Sequence, residues 1–329
     1  MKTKKIPCLG ICAFLFASLF AQAQQPKRIQ RVGYLAAVSA TADAPRLEAF
    51  RQGLRDLGYI EGQNIVIDYR HESRGFERLP EVAAALIAQK PDVLVAVTTN
   101  AAQAVKKASS TIPIVFMGVT DPITAGLVQS LPRPGGNTTG ITNIAAVLTG
   151  KRLELLKETI PKVTRVAVLW DPKAPGSIPQ WEEAQLASRE LGMQLYSMEV
   201  SSVDRFEAAF KEAVHAGNTA VWLTLNPLVN SNQKLVSDLA TNNRLPSICA
   251  RSDYADNGCM IAYGPSYTTE GRDGARYVDK ILKGTKPADI PVEQPMKFEL
   301  VINLKTAKHL NVNIPQTVMY RADRIIKSE

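Results

Sequence analysis

The sequence predicts an α/β protein of two doubly wound parallel-sheet lobes joined by a multi-strand hinge. Three features of the 329 residues support this prediction. Apolar runs of strand length alternate with helical patterns, the second half repeats the order of the first, and the C-terminal segments return to both halves in turn. Because parallel strands need crossover helices between them, such alternation is typical of doubly wound sheets.

Four apolar runs in the first half are typical of strands that are buried on both faces of a sheet. They span residues 32–37, 65–69, 93–97 and 112–117. Helical stripes lie between them, one formed by Leu47, Phe50, Leu54 and Leu57 and another by Leu79, Val82, Ala83, Leu86 and Ile87. This half therefore predicts a first lobe, which we expect to span residues 29–143.

A Pro/Gly-rich passage at residues 132–137 interrupts this order, after which a short strand (139–144) and a helix (151–159) lead into the second half. Further strands are predicted at residues 166–170, 195–200, 220–225, 247–250 and 260–263. The halves correspond in order, with residues 31–35 matching 165–169 and residues 97–100 matching 223–226. We therefore expect a second lobe over residues 144–265.

The C-terminal part is predicted to contribute to both lobes. A helix with Ala275, Val278, Ile281 and Leu282 on its apolar side ends at Gly284. A proline-spaced segment (287–295) then precedes a strand at 298–302. We assign residues of about 266–286 to the first lobe and about 287–329 to the second. Several chain crossings favour a hinge over a loose tether.

The N-terminal residues 1–23 have the pattern of a secretory signal peptide. Three lysines precede an apolar run at residues 6–20, and Ala21 and Ala23 are the small residues that signal peptidase reads. The run is too short for a stable membrane-spanning anchor, which is the alternative interpretation. Neither cysteine in this segment follows the small residue that a lipoprotein signal needs. We therefore expect cleavage after Ala23 and a periplasmic protein without a lipid anchor.

The charge and the motifs disfavour two classes of function. Removing the three leader lysines from the formal charge of +8 leaves +5, scattered among acids, so we expect no nucleic-acid partner. His71, His215 and His309 lack metal-ligand spacing, and neither a Gly-x-Ser-x-Gly nor a Gly-x-Gly-x-x-Gly motif is placed for catalysis or dinucleotide binding. We expect no enzyme, no metal and no cofactor.

Two of the four cysteines lie in the leader, and Cys249 and Cys259 remain. Export would place them in a compartment that permits disulfides, and neighbouring strands could bring them together. The spacing does not supply the Cα separation that a disulfide requires. A disulfide and two separate buried thiols both remain open.

Small polar residues recur just past the carboxyl ends of the predicted strands. Ligands of open parallel sheets bind at this edge, and the N–H groups of helix N-termini there favour carboxylate or phosphate. The alternative role of such residues is ordinary helix capping. The case for a site depends on both halves presenting them at matching places. The candidate ligand contacts from this pattern are Thr98, Thr99, Asn100, Thr120, Asp121, Thr142, Asp171, Asn226, Arg251 and Asp253.

Aromatic residues accompany these turns. Trp170 and Tyr254 lie next to them, and Tyr263 ends a strand. They could stack on a planar solute, and Tyr254 and Tyr263 join the candidate contacts for that reason. Packing in the core or at a rim is the alternative for each of them.

Several segments together resemble the ABC-transporter substrate-binding family that includes tryptophan-binding lipoproteins. They are GYIEGQNI at residues 58–65, Thr120-Asp121-Pro122, PGGNTTG at 134–140, Tyr263-Gly264-Pro265 and RADRII at 321–326. The resemblance covers nearly all of the mature chain and implies a type I periplasmic-binding fold. It also implies that residues 98–101 and 119–121 are ligand contacts of the first lobe, which adds Ala101 and Val119 to the candidates. Asn100 and Arg251 depart from the smaller residues expected at their positions.

This resemblance implies a monomer that captures a small solute between its lobes and delivers it to an ABC permease and its ATPase. We expect the solute to bear a carboxylate and to be amino-acid-like or aromatic. A periplasmic ligand sensor for a receptor is the main alternative. An exported α/β enzyme would need a nucleophile or a metal site, and a DNA-binding regulator would need a helix-turn-helix before Arg31.

Overall fold

The computed structural model describes residues 28–327, so the predicted signal peptide lies outside the described residues. The chain forms two α/β lobes, each built on its own sheet, and this confirms the predicted fold class. We call the lobes lobe I and lobe II in chain order. The strands of lobe I are β1 (Gln30–Ala36), β2 (Ile65–His71), β3 (Val93–Val97), β4 (Ile114–Val119) and β5 (Thr138–Thr142).

The sheet of lobe I is parallel throughout, in the order β2-β1-β3-β4-β5. All five residues of β3 are buried. Val93, Val95 and Val97 enter one apolar cluster, whereas Leu94 and Ala96 enter another on the opposite face. Because both faces of the strand are covered, its sequence is an uninterrupted apolar run instead of an alternating one.

Helices cover the faces of both sheets. In chain order they are α1 (Ala40–Asp56), α2 (Leu79–Ala88), α3 (Thr99–Ala108), α4 (Thr149–Thr159), α5 (Ile178–Glu190), α6 (Phe206–His215), α7 (Pro227–Ser231), α8 (Gln233–Asn242), α9 (Asp253–Asp256), α10 (Tyr267–Leu282), α11 (Leu304–His309) and α12 (Gln316–Met319). Short 3₁₀ turns occupy Phe76–Arg78, Val203–Arg205 and Pro287–Asp289. Within residues 28–327, no helix has the length and apolar character needed to cross a membrane.

The sheet of lobe II is larger and mixed. Its strands are β6 (Arg165–Trp170), β7 (Gln194–Glu199), β8 (Ala220–Leu223), β9 (Ser247–Cys249), β10 (Ile261–Gly264), β11 (Glu299–Asn303) and β12 (Arg324–Ile326). They follow the order β12-β11-β10-β9-β8-β6-β7. The short strand β12 was not predicted from the sequence, because three residues with one arginine give no periodic signal.

Strand β11 runs antiparallel to β10, unlike every other pair in this sheet. The chain leaves lobe II at the carboxyl end of β10, where Gly264 pairs with Glu299 at the start of β11. A chain that departs and returns at the same edge of a sheet has to reverse its direction. The antiparallel pair therefore follows from the excursion of α10 into lobe I.

Helix α10 packs closely against α1 and β4 in lobe I, and small residues allow this approach. A Cβ atom added to Gly271 would lie 2.3 Å from the carbonyl oxygen of Arg46, and one added to Gly274 would lie 2.2 Å from the sulfur of Met117. Ala275, Val278 and Ile281 are buried in the cluster beneath α1, on the apolar side that the sequence predicts. Glycine at 271 and 274 is therefore a packing requirement.

The chain crosses between the lobes three times: after β5, after β10, and between residue 293 and β11. The first and third crossings pair with each other, since the N–H of Thr142 donates to the carbonyl of Glu293 at 3.0 Å. Buried Arg152 ties the first crossing to the second by donating to the carbonyls of Ala145 and Tyr263 at 2.7 and 2.9 Å. Residues 290–293 contact lobe I, because Ile290 and Val292 are buried in its two apolar clusters and Glu293 pairs with β5. The predicted lobe boundaries stay a prediction.

Cys249 and Cys259 form a disulfide, with a Cα separation of 6.6 Å. Cys249 ends β9, and Cys259 lies just before β10, the strand that pairs with β9. The parallel pairing of these two strands brings the thiols together, which resolves the alternatives that the sequence left open. The bridge lies in the core of lobe II, directly behind the turn that carries Arg251.

Candidate functional site

A cavity of about 270 Å³ lies between the carboxyl edges of the two sheets. Lobe I contributes residues from the turns after β3 and β4, from β5, from α1 and from α10. Lobe II contributes residues from the turns after β6, β8 and β9. This is the edge at which the sequence predicted ligand contacts, and both lobes reach it.

The cavity brings together seven of the fourteen candidate residues: Thr98, Thr99, Asn100, Thr120, Thr142, Asn226 and Arg251. The other seven are absent from its lining: Ala101, Val119, Asp121, Asp171, Asp253, Tyr254 and Tyr263. The ligand-binding role of the whole set stays a prediction.

The seven candidates outside the lining have structural partners. Ala101 and Val119 are fully buried in the core of lobe I, and the ring of Tyr263 packs against Phe298. Asp121 accepts from the backbone N–H groups of Ile123 and Thr124 at 3.1 and 3.0 Å. These residues follow strands as predicted, but their side chains turn into the fold of their own lobe.

The same holds for the acidic and aromatic candidates of lobe II. Asp171 accepts from the hydroxyl of Ser201 at 2.5 Å and from the backbone N–H of Lys173 at 2.9 Å. Tyr254 is fully buried and donates its hydroxyl to Asn230. Trp170 stacks on Trp181 with 5.5 Å between ring centroids, away from the cavity. Packing, the alternative considered for Trp170 and Tyr254, is what these two rings do.

Thr98 is the most unusual residue of the cavity. Its backbone has φ 85° and ψ 161°, a region that glycine occupies and that other residues enter at a cost of about 1–3 kcal/mol. Its side chain does not cap α3, and its buried hydroxyl oxygen has no hydrogen-bond partner. Both a strained backbone and an unpaired buried hydroxyl are typical of ligand sites.

The N-terminus of α3 adds backbone donors to this hydroxyl. The first intrahelical hydrogen bond runs from the N–H of Ala102 to the carbonyl of Thr98 at 3.0 Å, so the preceding N–H groups of the helix have no intrahelical acceptor. Thr99 and Asn100 lie in this first turn, both more than nine-tenths buried. The hydroxyl of Thr99 accepts from the N–H of Thr120 at 3.4 Å and so keeps its own proton for another acceptor.

The matching turn of lobe II is already satisfied. The side-chain oxygen of Asn226 accepts from the N–H of Val229 at 2.9 Å and caps α7, while its amide donates to the hydroxyl of Thr224 at 3.1 Å. Asn226 therefore faces the cavity with a side chain that is engaged at both ends.

Arg251 is a buried cation of lobe II at the cavity, and only 1% of it is exposed. Its Nε and Nη2 atoms donate to the two carboxylate oxygens of Asp253 at 2.5 Å each. Burial acts to raise the pKa of Asp253, but Arg251 and Gln233 outweigh it and hold that pKa below its ordinary value. The remaining nitrogen, Nη1, is buried and has no partner.

Tyr267 and Arg46 line the cavity and were missed by the sequence analysis. The centroid of the Tyr267 ring lies 3.8 Å from the guanidinium carbon of Arg46 and 3.1 Å from that of Arg251. Two guanidinium groups this close to one centroid lie on opposite faces of the ring. Since Tyr267 and Arg46 belong to lobe I, the contact with Arg251 joins the two lobes.

Arg46 is held by carboxylates on both sides. It donates to Asp43 at 2.9 Å and to Glu270 at 2.8 Å, and Asp43 also accepts from the hydroxyl of Tyr34 at 2.8 Å. Burial acts to lower the pKa of Arg46, but Glu270 and Asp43 raise it above its ordinary value. No local motif marks this cluster, because α1 and α10 are separated by most of the chain.

Two α/β lobes that enclose a cavity at their carboxyl edges define a two-lobed, type I periplasmic-binding fold. The model of the ABC transporter substrate binding protein family matches residues 31–326, and the chain belongs to this family. Among known proteins, a tyrosine-binding protein from Clostridioides difficile (strain R20291) is 27% identical, over 95% of this chain and 94% of its own. The predicted resemblance is thereby confirmed.

Two solved structures are also similar. An ABC domain from Streptococcus pneumoniae in complex with L-Trp has a TM-score of 0.84 and 26% identity, over 91% of this chain and all of its own. A ligand-free, open substrate binding protein with adhesive properties from Clostridium difficile has a TM-score of 0.66 at 26% identity, over 92% of this chain and all of its own. At equal identity, the lobes of the present chain match the arrangement of the complex better than the open one.

Proposed function

We propose that this protein captures a small, carboxylate-bearing solute, amino-acid-like or aromatic, in the interlobe cavity and delivers it to an ABC permease and its ATPase. It acts in the periplasm after removal of residues 1–23, and it binds its solute without converting it. The family, the two-lobed fold and the relatives that bind tyrosine or L-Trp support solute capture.

The unpaired hydroxyl of Thr98 at the N-terminus of α3 is the observation that supports a carboxylate group on the solute. A helix N-terminus has a partial positive charge that stabilises an anion by about 0.3–1 kcal/mol, and by up to about 2 kcal/mol when partly buried. Hydrogen bonds from a hydroxyl to a charged acceptor contribute about 1.5–3 kcal/mol. A carboxylate placed here would satisfy the hydroxyl and the free N–H groups together, and a neutral solute would gain less from both.

A thermal-shift screen of the mature protein tests this proposal. The library contains the twenty L-amino acids, benzoate, and aliphatic mono- and dicarboxylates, each beside its primary amide. At about 100 times its Kd a ligand adds roughly 2.7 kcal/mol of stability, so we expect a clear shift for at least one acid and none for its amide. Equal shifts for acid and amide, or shifts for neutral solutes only, would contradict the carboxylate assignment.

Variants of the first turn of α3 separate ligand binding from capping. We expect Thr99→Ala and Asn100→Ala to weaken binding of the screened acid about tenfold or more, with little change in the ligand-free melting temperature. Thr164→Ala, an exposed threonine of lobe II, serves as the matched control. A loss of about 1 kcal/mol of ligand-free stability at unchanged affinity would show that these residues only cap the helix.

The proposed export and the absence of turnover have their own measurements. N-terminal sequencing of protein from the periplasmic fraction should begin at Gln24, and a chain that still begins at Met1 would overturn export. Titration calorimetry should show about one site per chain, because the interlobe cavity that the described residues form has room for one small solute. Recovery of chemically altered ligand after long incubation would contradict a binding role without chemistry.

A further inference from the structure

The guanidinium group of Arg251 is fixed in position by its neighbours. Asp253 binds two of its nitrogens at 2.5 Å each, and the ring of Tyr267 covers one of its faces at 3.1 Å. A second ring, that of Tyr254, lies 5.3 Å from the same carbon. The group therefore has almost no freedom to reorient inside the cavity, and its third nitrogen keeps one direction.

That third nitrogen, Nη1, is buried without a hydrogen-bond partner in a residue that lines the cavity. Native proteins leave few buried donors unpaired, because such a group loses its hydrogen bonds to water without replacement. An acceptor supplied by the solute would satisfy it. Asp253 already neutralises the charge of Arg251. The solute would therefore gain a hydrogen bond of fixed direction from Nη1, and little attraction from an unpaired charge.

Among the described residues that line the cavity, each lobe thus has one buried side-chain donor without a partner, on Thr98 in lobe I and on Arg251 in lobe II. A solute with a carboxylate at one end and only apolar atoms elsewhere satisfies one donor and leaves the other unpaired. A solute with acceptors for both lobes satisfies both. Sites built to hydrogen-bond a polar group discriminate strongly against analogues that lack it, because their donors stay unpaired.

We infer that Arg251 determines specificity by donating Nη1 to a second acceptor on the solute, so that the protein selects carboxylates with an additional acceptor group over those without one. Dicarboxylates and hydroxylated aromatic acids share this chemistry. The inference rests on the proposed capture of a carboxylate at Thr98, and it adds the requirement at the opposite lobe.

Matched pairs of acids test the inference in the purified mature protein. The pairs are 3-(4-hydroxyphenyl)propionate with 3-phenylpropionate, L-tyrosine with L-phenylalanine, and adipate with hexanoate, and affinities are measured by calorimetry. In at least one pair, we expect the member with the second acceptor to bind at least about tenfold more tightly, a difference of about 1.4 kcal/mol. In Arg251→Met this ratio should fall to about threefold or less.

Two further variants separate hydrogen bonding from structure. Arg251→Lys keeps the charge and loses the fixed fork, so the ratio should fall while the protein stays folded, which also covers the case in which Arg251→Met does not fold. Arg205→Met is the matched control, since Arg205 is an exposed arginine of lobe II that pairs with Glu212. This control should keep the wild-type ratio.

The outcomes distinguish a failure of the role of Arg251 from a failure of the proposed carboxylate capture. Equal affinities within every pair that binds, or a ratio that survives both Arg251 variants, would overturn the role of Arg251 and leave carboxylate capture intact. If no acid of any pair binds and only neutral solutes stabilise the protein, the carboxylate site at Thr98 falls, and the inference falls with it.

Discussion

The two lobes present similar sequences to the cavity but prepare them differently. In lobe I the turn after β3 holds Thr98 in a strained backbone conformation with a free hydroxyl. In lobe II the turn after β8 holds Asn226 in an ordinary extended conformation, with its side chain spent on capping α7. Strand-end polar residues at corresponding places therefore differ in state, since Thr98 keeps an unpaired hydroxyl and Asn226 caps a helix.

The difference suggests that the two lobes contribute their solute contacts at different stages, one before and one during closure of the cavity. Lobe I presents the N–H groups of the first turn of α3 and the unpaired hydroxyl of Thr98, whereas in lobe II the side chain of Asn226 is already hydrogen-bonded and Arg251 keeps one buried donor unpaired. A ligand can shift the equilibrium between open and closed forms only by its differential interaction with them. We therefore expect lobe I to hold the solute in the open form and lobe II to add its contacts on closing.

The largest effect is expected from the disulfide, which is present in lobe II. Replacing Cys249 and Cys259 together by alanine should lower the free energy of unfolding by about 2.7 kcal/mol, the loop entropy for a separation of this length. All three tryptophans, Trp170, Trp181 and Trp222, lie in lobe II, so their fluorescence during urea denaturation reports on that lobe. Circular dichroism follows both lobes.

If lobe II depends on the bridge, its fluorescence transition should precede the dichroism transition in the double variant. Reduction of the wild-type protein with dithiothreitol is the control, and it should reproduce the shift. Coincident transitions at wild-type urea concentrations would show that the two lobes do not differ in this respect.

Thr98→Gly should reverse the usual effect of glycine. Glycine adopts the backbone conformation of Thr98 without strain, so the ligand-free protein should gain about 1 kcal/mol of stability after the entropy cost of glycine is subtracted. Affinity for the screened acid should fall at least about tenfold, since the hydroxyl is lost. Thr98→Ala is the control that loses the hydroxyl and keeps the strain. A Thr98→Gly protein that is less stable than Thr98→Ala would show that the backbone of Thr98 is not strained.

Asn226→Ala tests the opposite character of lobe II. Loss of the cap on α7 should lower ligand-free stability by about 1 kcal/mol and change affinity little once the stability difference is taken into account. Asn226→Asp keeps a capping oxygen and should restore the stability. A tenfold loss of affinity at unchanged stability would instead make Asn226 a ligand contact equivalent to Thr98.

The sequence predicts the fold well because parallel strands that are buried on both faces have uninterrupted apolar runs, which are easy to recognise. The run at residues 93–97 coincides with β3, and the helix predicted at residues 151–159 lies within α4. The antiparallel direction of β11 was not predicted, because an apolar run carries no information about strand direction. The disulfide needed the pairing of β9 with β10, which spacing does not provide.

The site is harder to predict for a physical reason. A polar residue at a strand end either faces the cavity or turns back to satisfy a nearby backbone group, and both choices use the same residue types. Asp121 and Thr120 are neighbours in sequence, yet Asp121 accepts from the N–H groups that follow it while Thr120 lines the cavity. Arg46 lies inside α1 and Tyr267 begins α10, so neither belongs to the small polar residues that mark the strand ends.

The contact between Tyr267 and Arg251 offers the smallest and most direct test of how the lobes meet. A cation–π pair contributes about 0.5–1 kcal/mol at exposed sites and more where water is excluded, so Tyr267→Leu should lower the ratio of closed to open protein by about two- to fivefold. Tyr267→Phe keeps the ring and should keep the ratio.

Small-angle X-ray scattering of the ligand-free proteins measures the opening as a larger radius of gyration. Because Arg46 covers the other face of the ring, Tyr267 stays in place in lobe I when the lobes separate, and only its contact with lobe II is lost. Identical scattering from Tyr267→Leu and Tyr267→Phe would mean that the lobes stay together without this contact, through the hinge segments and the hydrogen bond that the N–H of Ser39 donates to the hydroxyl of Ser231 at 3.0 Å.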